Sequence, residues 1–208
     1  MSRPFEVPDH VADPVGAHRL WTVPNALTGL RLLLVPVLAW LLFAGDPTDQ
    51  SQRLWAMTVF IVAALTDFAD GAIARSRNSV TTVGKIADPI ADKAITGVAL
   101  IGLSWAGDLP WWVTLLILGR EVGVTIVRLS VIRHGVIPAS RGGKAKTVAQ
   151  IIAISLYLAP FTTDAEPIRI GAMTIAVVLT IVTGIDYLAR AWRLRQSARR
   201  SSGDDQHE

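Results

Sequence analysis

Apolar residues gather along this chain into long blocks at Ala26–Ala44, Leu54–Ile73, Val83–Trp105, Trp111–Ile132, Thr147–Pro160 and Ile168–Ala189. A helix needs about 20 residues to cross the hydrocarbon core of a bilayer. Most of the blocks reach that length; the fifth is short before Pro160. Breakers separate them, among them Gly45-Asp46-Pro47, Gly107-Asp108-Leu109-Pro110 and Ala165-Glu166-Pro167. The pattern predicts an all-α integral membrane protein with six transmembrane helices.

Charge in the connectors alternates. One side collects Arg3, Arg19, Arg31, Arg75, Arg77, Lys85, Arg133, Arg141, Lys144, Lys146, Arg190, Arg193, Arg195, Arg199 and Arg200. The other side has Arg53 and Arg169 beside Asp46, Asp49, Asp108, Asp164 and Glu166. Positively charged loops stay in the cytoplasm, so both termini are expected there, on a multi-pass protein of the cytoplasmic membrane.

With 208 residues, one domain is the default. The division expected is a polar arm (1–22), a six-helix catalytic domain (23–190) and a basic then acidic cytoplasmic tail (191–208). The arm, with Pro4, Pro8 and Pro14, is expected on the membrane surface near Leu20 and Trp21. It has no short apolar core before a cleavage site, so no secretory signal peptide is expected.

Hydrophobic residues make up 51% of the chain, which is unusual for a soluble protein. Cysteine is absent, which excludes a disulfide framework and thiol chemistry. The formal charge of +3 is small, and its placement matters more. The arginines after Arg190 read as an anchor on anionic membrane lipid. No aromatic interleaving accompanies them, so nucleic acid is not an expected partner. His10, His18, His134 and His207 are isolated and receive no role. Trp111-Trp112 reads as an interface anchor at a span entrance.

Candidate chemistry lies between the second and third blocks. The stretch reads Asp67-Phe-Ala-Asp70-Gly71-Ala-Ile-Ala74-Arg75, eight residues, then Gly84-Lys-Ile-Ala-Asp88-Pro-Ile-Ala-Asp92. Positions three or four apart share a helix face, which pairs Asp67 with Asp70 and Asp88 with Asp92. Four carboxylates at a membrane boundary cannot all stay ionised without compensation. Two divalent cations would cancel them, and all-oxygen ligation favours Mg2+ or Mn2+. Carboxylate-bridged metal pairs serve phosphoryl chemistry. Acids solvated by headgroup water are the bland alternative.

With every fixed position filled, this stretch resembles the signature D-x-x-D-G-x-x-A-R … G-x-x-x-D-x-x-x-D of the CDP-alcohol phosphotransferases. The resemblance implies that fold, with a polar, cytoplasm-facing cavity that cradles a cytidine diphosphate. It implies Asp67, Asp70 and Asp88 as metal ligands and Asp92 as ligand, general base or both. It also implies nucleotide contacts from Gly71, Ala74 and Arg75, with Thr81, and a homodimer. Small residues such as Gly71 and Ala74 let a large ligand approach the backbone. Asn25 and Thr28, in Pro24-Asn25-Ala-Leu-Thr28, border the nucleotide in similar proteins; alternatively, Asn25 is an ordinary helix cap. Pro89 either kinks its helix or leaves Asp88 capping a new start.

The fourth block contains Arg120, Glu121 and Arg128, costly charges that usually face a cavity or partner. Glu121 and Arg128, seven apart, either form a structural ion pair or serve the site. Arg120 points away from that pair and is freer for ligand. Ser140-Arg141-Gly-Gly-Lys144-Ala-Lys146-Thr147 brings lysines to a helix N-terminus, a favourable place for phosphate, although positive-inside charge explains Arg141 equally well. Asp88-Pro-Ile-Ala-Asp92-Lys93, Gly119-Arg120-Glu121 and Gly143-Lys144-Ala-Lys146-Thr147 are similar to the phosphatidylglycerophosphate synthase branch. That branch implies phosphatidyl transfer from CDP-diacylglycerol to glycerol 3-phosphate, with the acceptor phosphate held by Arg120, Arg128, Lys144 and Lys146. Within the family the alternatives are a cardiolipin synthase or a phosphatidylinositol phosphate synthase. A cation transporter is the rival from another class, although the single acid motif lacks the internal repeat common in transporters.

Overall fold

The structure, a computed structural model, describes residues 23–46, 48–77, 82–131, 141–160 and 165–204. Side chains 23–26, 28, 67–92, 128–131, 141, 195 and 197–204 lie outside that description. The described elements are helices: α1 (Val23–Phe43), α2 (Gln50–Arg77), α3 (Thr82–Trp105), α4 (Trp111–Val131), α5 (Arg141–Leu158) and α6 (Glu166–Asp204). They match the predicted blocks one for one, and the ends differ where polar sequence continues a helix. α5 starts at Arg141, so the glycines and lysines expected in a loop form its first turns. α6 runs on to Asp204, carrying the helix across the expected tail boundary.

Small residues draw the helices together. In α2, Ala56, Phe60 and Ala63 recur at helical spacing and are buried with Leu38 of α1 and Ile95, Ala99 and Leu103 of α3. α1 presses against α3 at Gly102, where a β-carbon would lie 2.7 Å from Leu42 Cδ1. α5 packs on α6 through Ile154, Leu158, Ala176 and Val177. Polar ties cross the same interior: Gln150 Nε2 donates to Thr180 Oγ1 at 2.9 Å, and Ser104 and Thr114 share a hydrogen bond at 2.7 Å.

The outward faces carry the large apolar side chains. Leu33, Trp40, Leu115 and Ile185 are exposed, whereas Arg31, Lys146, Gln150 and Thr180 are buried. An apolar exterior around a partly polar interior suits a lipid surrounding, where helices satisfy their own backbone groups. Among the described residues, Glu166–Leu194 is long and apolar enough to cross a membrane, with shorter apolar stretches at Gly29–Phe43 and Lys93–Trp105.

One end of the bundle is closed by ions. Asp108, between α3 and α4, pairs with Arg53 of α2 and lies 3.9 Å from Arg169 of α6. Both arginines also donate to Tyr157 O, at 3.0 and 3.3 Å, and Arg169 stacks over the Tyr157 ring. At the same end Asp46 accepts from the hydroxyl and the amide of Thr48, which holds its carboxyl below the ordinary value.

Candidate active site

The acid motif falls at the other end. Asp67, Asp70, Gly71, Ala74 and Arg75 lie in the C-terminal turns of α2, and Asp88 and Asp92 in the N-terminal half of α3. Both stretches are helical, so the three- and four-residue spacings do place each acid pair on one face. That donor set fits divalent metal: all-oxygen, anionic and paired. The side chains of these residues lie outside the described ones, as do those of Asn25, Thr28 and Arg128 and the whole of Thr81. Among the described side chains no acidic or histidine cluster could hold a metal ion. α3 is already helical at Thr82, ahead of Pro89, so Asp88 is internal rather than the cap of a new helix. α1 is likewise helical at Val23, which puts Asn25 inside the first turn rather than at its cap.

Directly after the motif, Lys93 begins a charged cluster drawn from four helices. Its Nζ donates to Thr125 Oγ1 at 2.7 Å and to Glu121 O at 3.1 Å, and lies 3.5 Å from Glu121 Oε2. Arg120 Nη1 donates to Glu121 Oε1 at 3.0 Å, and its Nη2 donates to Thr183 Oγ1 of α6 at 2.9 Å. Lys146 of α5, buried, also donates to Glu121 Oε1. Among the described residues, one carboxylate therefore gathers three cations.

Arg120 is thus not turned away from Glu121, as its spacing had implied. Its stem lies over α6 at Gly184, where a β-carbon would meet Arg120 Cγ at 3.3 Å, and its head reaches back to the neighbouring carboxylate. Its Nε is buried and has no hydrogen-bond partner among the described residues, which leaves one donor for a ligand. Lys144 and Lys146 are separated by the helix: two residues turn the side chain about 200°, so Lys146 points inward and Lys144 is exposed.

Lys93, Thr125, Thr183 and Gly184 received no role from the sequence. Lys93 could have been found as a cation one residue past an acid inside an apolar block. Thr183 and Gly184 carry no comparable signal. Arg31, counted among connector charges, is instead fully buried within α1.

The CDP-alcohol phosphatidyltransferase profile matches residues 21–182. A probable phosphatidylglycerophosphate synthase of Mycobacterium tuberculosis is 49% identical over 187 residues, covering 88% of this chain and 90% of that protein. A CDP-diacylglycerol–glycerol-3-phosphate 3-phosphatidyltransferase of Bacillus subtilis is 36% identical over 186 residues, covering 83% and 96%. A CMP-forming cardiolipin synthase of Streptomyces coelicolor is 35% identical over 146 residues, covering 69% and 68%. The helical bundle, the complete acid motif and these matches agree: the chain belongs to the CDP-alcohol phosphatidyltransferase family.

Proposed function

We propose that the protein transfers the phosphatidyl group of CDP-diacylglycerol to glycerol 3-phosphate, giving phosphatidylglycerophosphate and CMP in phospholipid synthesis. The names of its relatives support the reaction. The observation that carries the choice of acceptor is the excess of two positive charges among Lys93, Arg120, Lys146 and Glu121. It matches a phosphomonoester dianion, and charge-assisted hydrogen bonds to phosphate are the strong ones. Phosphatidylglycerol, a singly charged diester, suits a cluster of three cations less well than a phosphomonoester does.

Asp67, Asp70, Asp88 and Asp92 would hold two divalent ions, Mg2+ or Mn2+, which would supply charge neutralisation for the pyrophosphate and the CMP leaving group. Asn25, Thr28, Asp67, Asp70, Gly71, Ala74, Arg75 and Thr81 surround the nucleotide. Lys93, Arg120 and Lys146 seat the acceptor phosphate, with Arg128 beside them and Lys144 at the rim. Asp92 takes the proton from the acceptor's terminal hydroxyl. That oxygen bonds to the phosphorus carrying the diacylglycerol, and the bond from this phosphorus to the bridging oxygen breaks, releasing CMP.

The acyl chains stay among membrane lipids. The chain crosses the cytoplasmic membrane six times as a homodimer, with both termini and the acid motif on the cytoplasmic side. Its arm is 1–22, its catalytic domain 23–190 and its tail 191–208.

The test is purified protein with CDP-diacylglycerol and, separately, glycerol 3-phosphate, phosphatidylglycerol and inositol 1-phosphate, with and without EDTA. CMP and phosphatidylglycerophosphate are expected with glycerol 3-phosphate alone and are lost with EDTA. Cardiolipin formed from phosphatidylglycerol would overturn the reading.

A further inference from the structure

Glu121 sits where two helices are held apart. Among the described residues α4 packs on α3 and α6 and makes no backbone approach to α5. Side chains cross that separation: Lys146, buried on α5, reaches Glu121 Oε1 on α4. Lys93 approaches the same carboxylate from α3, and Arg120 from the preceding position of α4. Charged groups at such depth usually line a cavity.

Residue 121 is the fixed member of this group. Arg120 is braced on α6, its stem over Gly184 and its Nη2 donating to Thr183 Oγ1 at 2.9 Å. That brace brings Nη1 onto Glu121 Oε1 at 3.0 Å. Thr125 Oγ1 accepts from Lys93 Nζ at 2.7 Å and itself donates to Glu121 O at 2.8 Å. Lys93 also donates to Glu121 O at 3.1 Å, so residue 121 holds it by carbonyl and carboxylate together. Three like charges so close repel one another, and lysine stems are flexible unless something holds them. An ammonium carries three donors and a guanidinium five, so pairing with Glu121 uses only part of what each cation offers.

We propose that Glu121 is the positioning residue of the acceptor site. Its carboxylate keeps Lys93, Arg120 and Lys146 at a fixed spacing across the gap between α4 and α5, ready for one phosphomonoester. It acts through those cations and is not itself a contact of the substrate. This rests on reading the three cations as the seat of the acceptor phosphate. Removing a negative charge from beside an anion site would, by charge alone, tighten phosphate binding. Weaker binding is therefore the mark of positioning.

Steady-state kinetics of the purified full chain, with each substrate varied in turn, test this. Glu121→Gln is expected to raise the KM for glycerol 3-phosphate about ten-fold or more, while that for CDP-diacylglycerol stays within about two-fold of wild type. Glu121→Asp, which keeps the charge on a shorter stem, should fall between the two. On a Lys146→Met background Glu121→Gln should add about three-fold or less, because groups that act as a unit are not additive. A glycerol 3-phosphate KM that is unchanged or lower in Glu121→Gln overturns the proposal. So does an equal rise in both KM values, or an undiminished further rise on the Lys146→Met background. Should Glu121→Gln not fold, Glu121→Asp decides: a rise confined to glycerol 3-phosphate supports the proposal, and a wild-type value overturns it. Wild-type protein that makes no phosphatidylglycerophosphate overturns the acceptor reading and this inference together. Wild-type turnover with no change in the variants removes only the role of Glu121.

Discussion

Lys146 shows how one side chain changes meaning between sequence and structure. In the sequence it is one of two lysines beside glycines, and either would serve a phosphate. Helical geometry separates them, burying Lys146 on Glu121 and leaving Lys144 exposed. Lys146→Met should therefore raise the KM for glycerol 3-phosphate. One charge-assisted hydrogen bond contributes about 1.5–3 kcal/mol, so a rise of roughly ten- to a hundred-fold is expected. The KM for CDP-diacylglycerol should stay within about two-fold of wild type, and steady-state kinetics with each substrate varied checks both. The acid motif was legible because its chemistry is local, with every spacing set within one helix. The partners of Glu121 were not, because Lys93, Arg120 and Lys146 reach it from three different helices. Such convergence depends on packing, which no spacing rule encodes.

Among the elements, the six helices were readable from apolar blocks alone, and their polar ends were not. α5 starts at Arg141 and α6 continues to Asp204, because intrahelical hydrogen bonds continue past the last apolar residue. The connector between α3 and α4 looked like a plain breaker. In the structure its Asp108 engages Arg53 of α2 and Arg169 of α6, so it joins elements distant in sequence. These side chains are only partly buried, which limits what the pairing contributes. Asp108→Ala should lower stability by about 1–3 kcal/mol through the arginines left without their carboxylate. Thermal unfolding in detergent measures that loss. Turnover per folded molecule should be unchanged, since Asp108 lies at the end of the bundle opposite the acid motif.

For the whole molecule, the asymmetry of charge and the outward apolar faces belong together. The two basic residues expected on the outer side, Arg53 and Arg169, are both engaged by Asp108. The arginine-rich turns of α6 lie at the end that carries the acid motif. Absence of cysteine makes the orientation directly measurable. Cysteine introduced by Glu166→Cys should react with an impermeant maleimide on intact cells. Cysteine introduced by Gln196→Cys should react only in inside-out vesicles, and the reverse pattern would invert the proposed topology.

The close approach of α1 to α3 reaches further than its own neighbourhood. Where Gly102 admits Leu42, a missing side chain fixes the height of one rod against the other. Rods transmit that height almost unchanged over about 15 Å. The height of α1 against the acid-bearing half of α3 is thus decided in the last turns of both helices, at the opposite end of the bundle. Precision at the acid end is inherited from a purely steric stop.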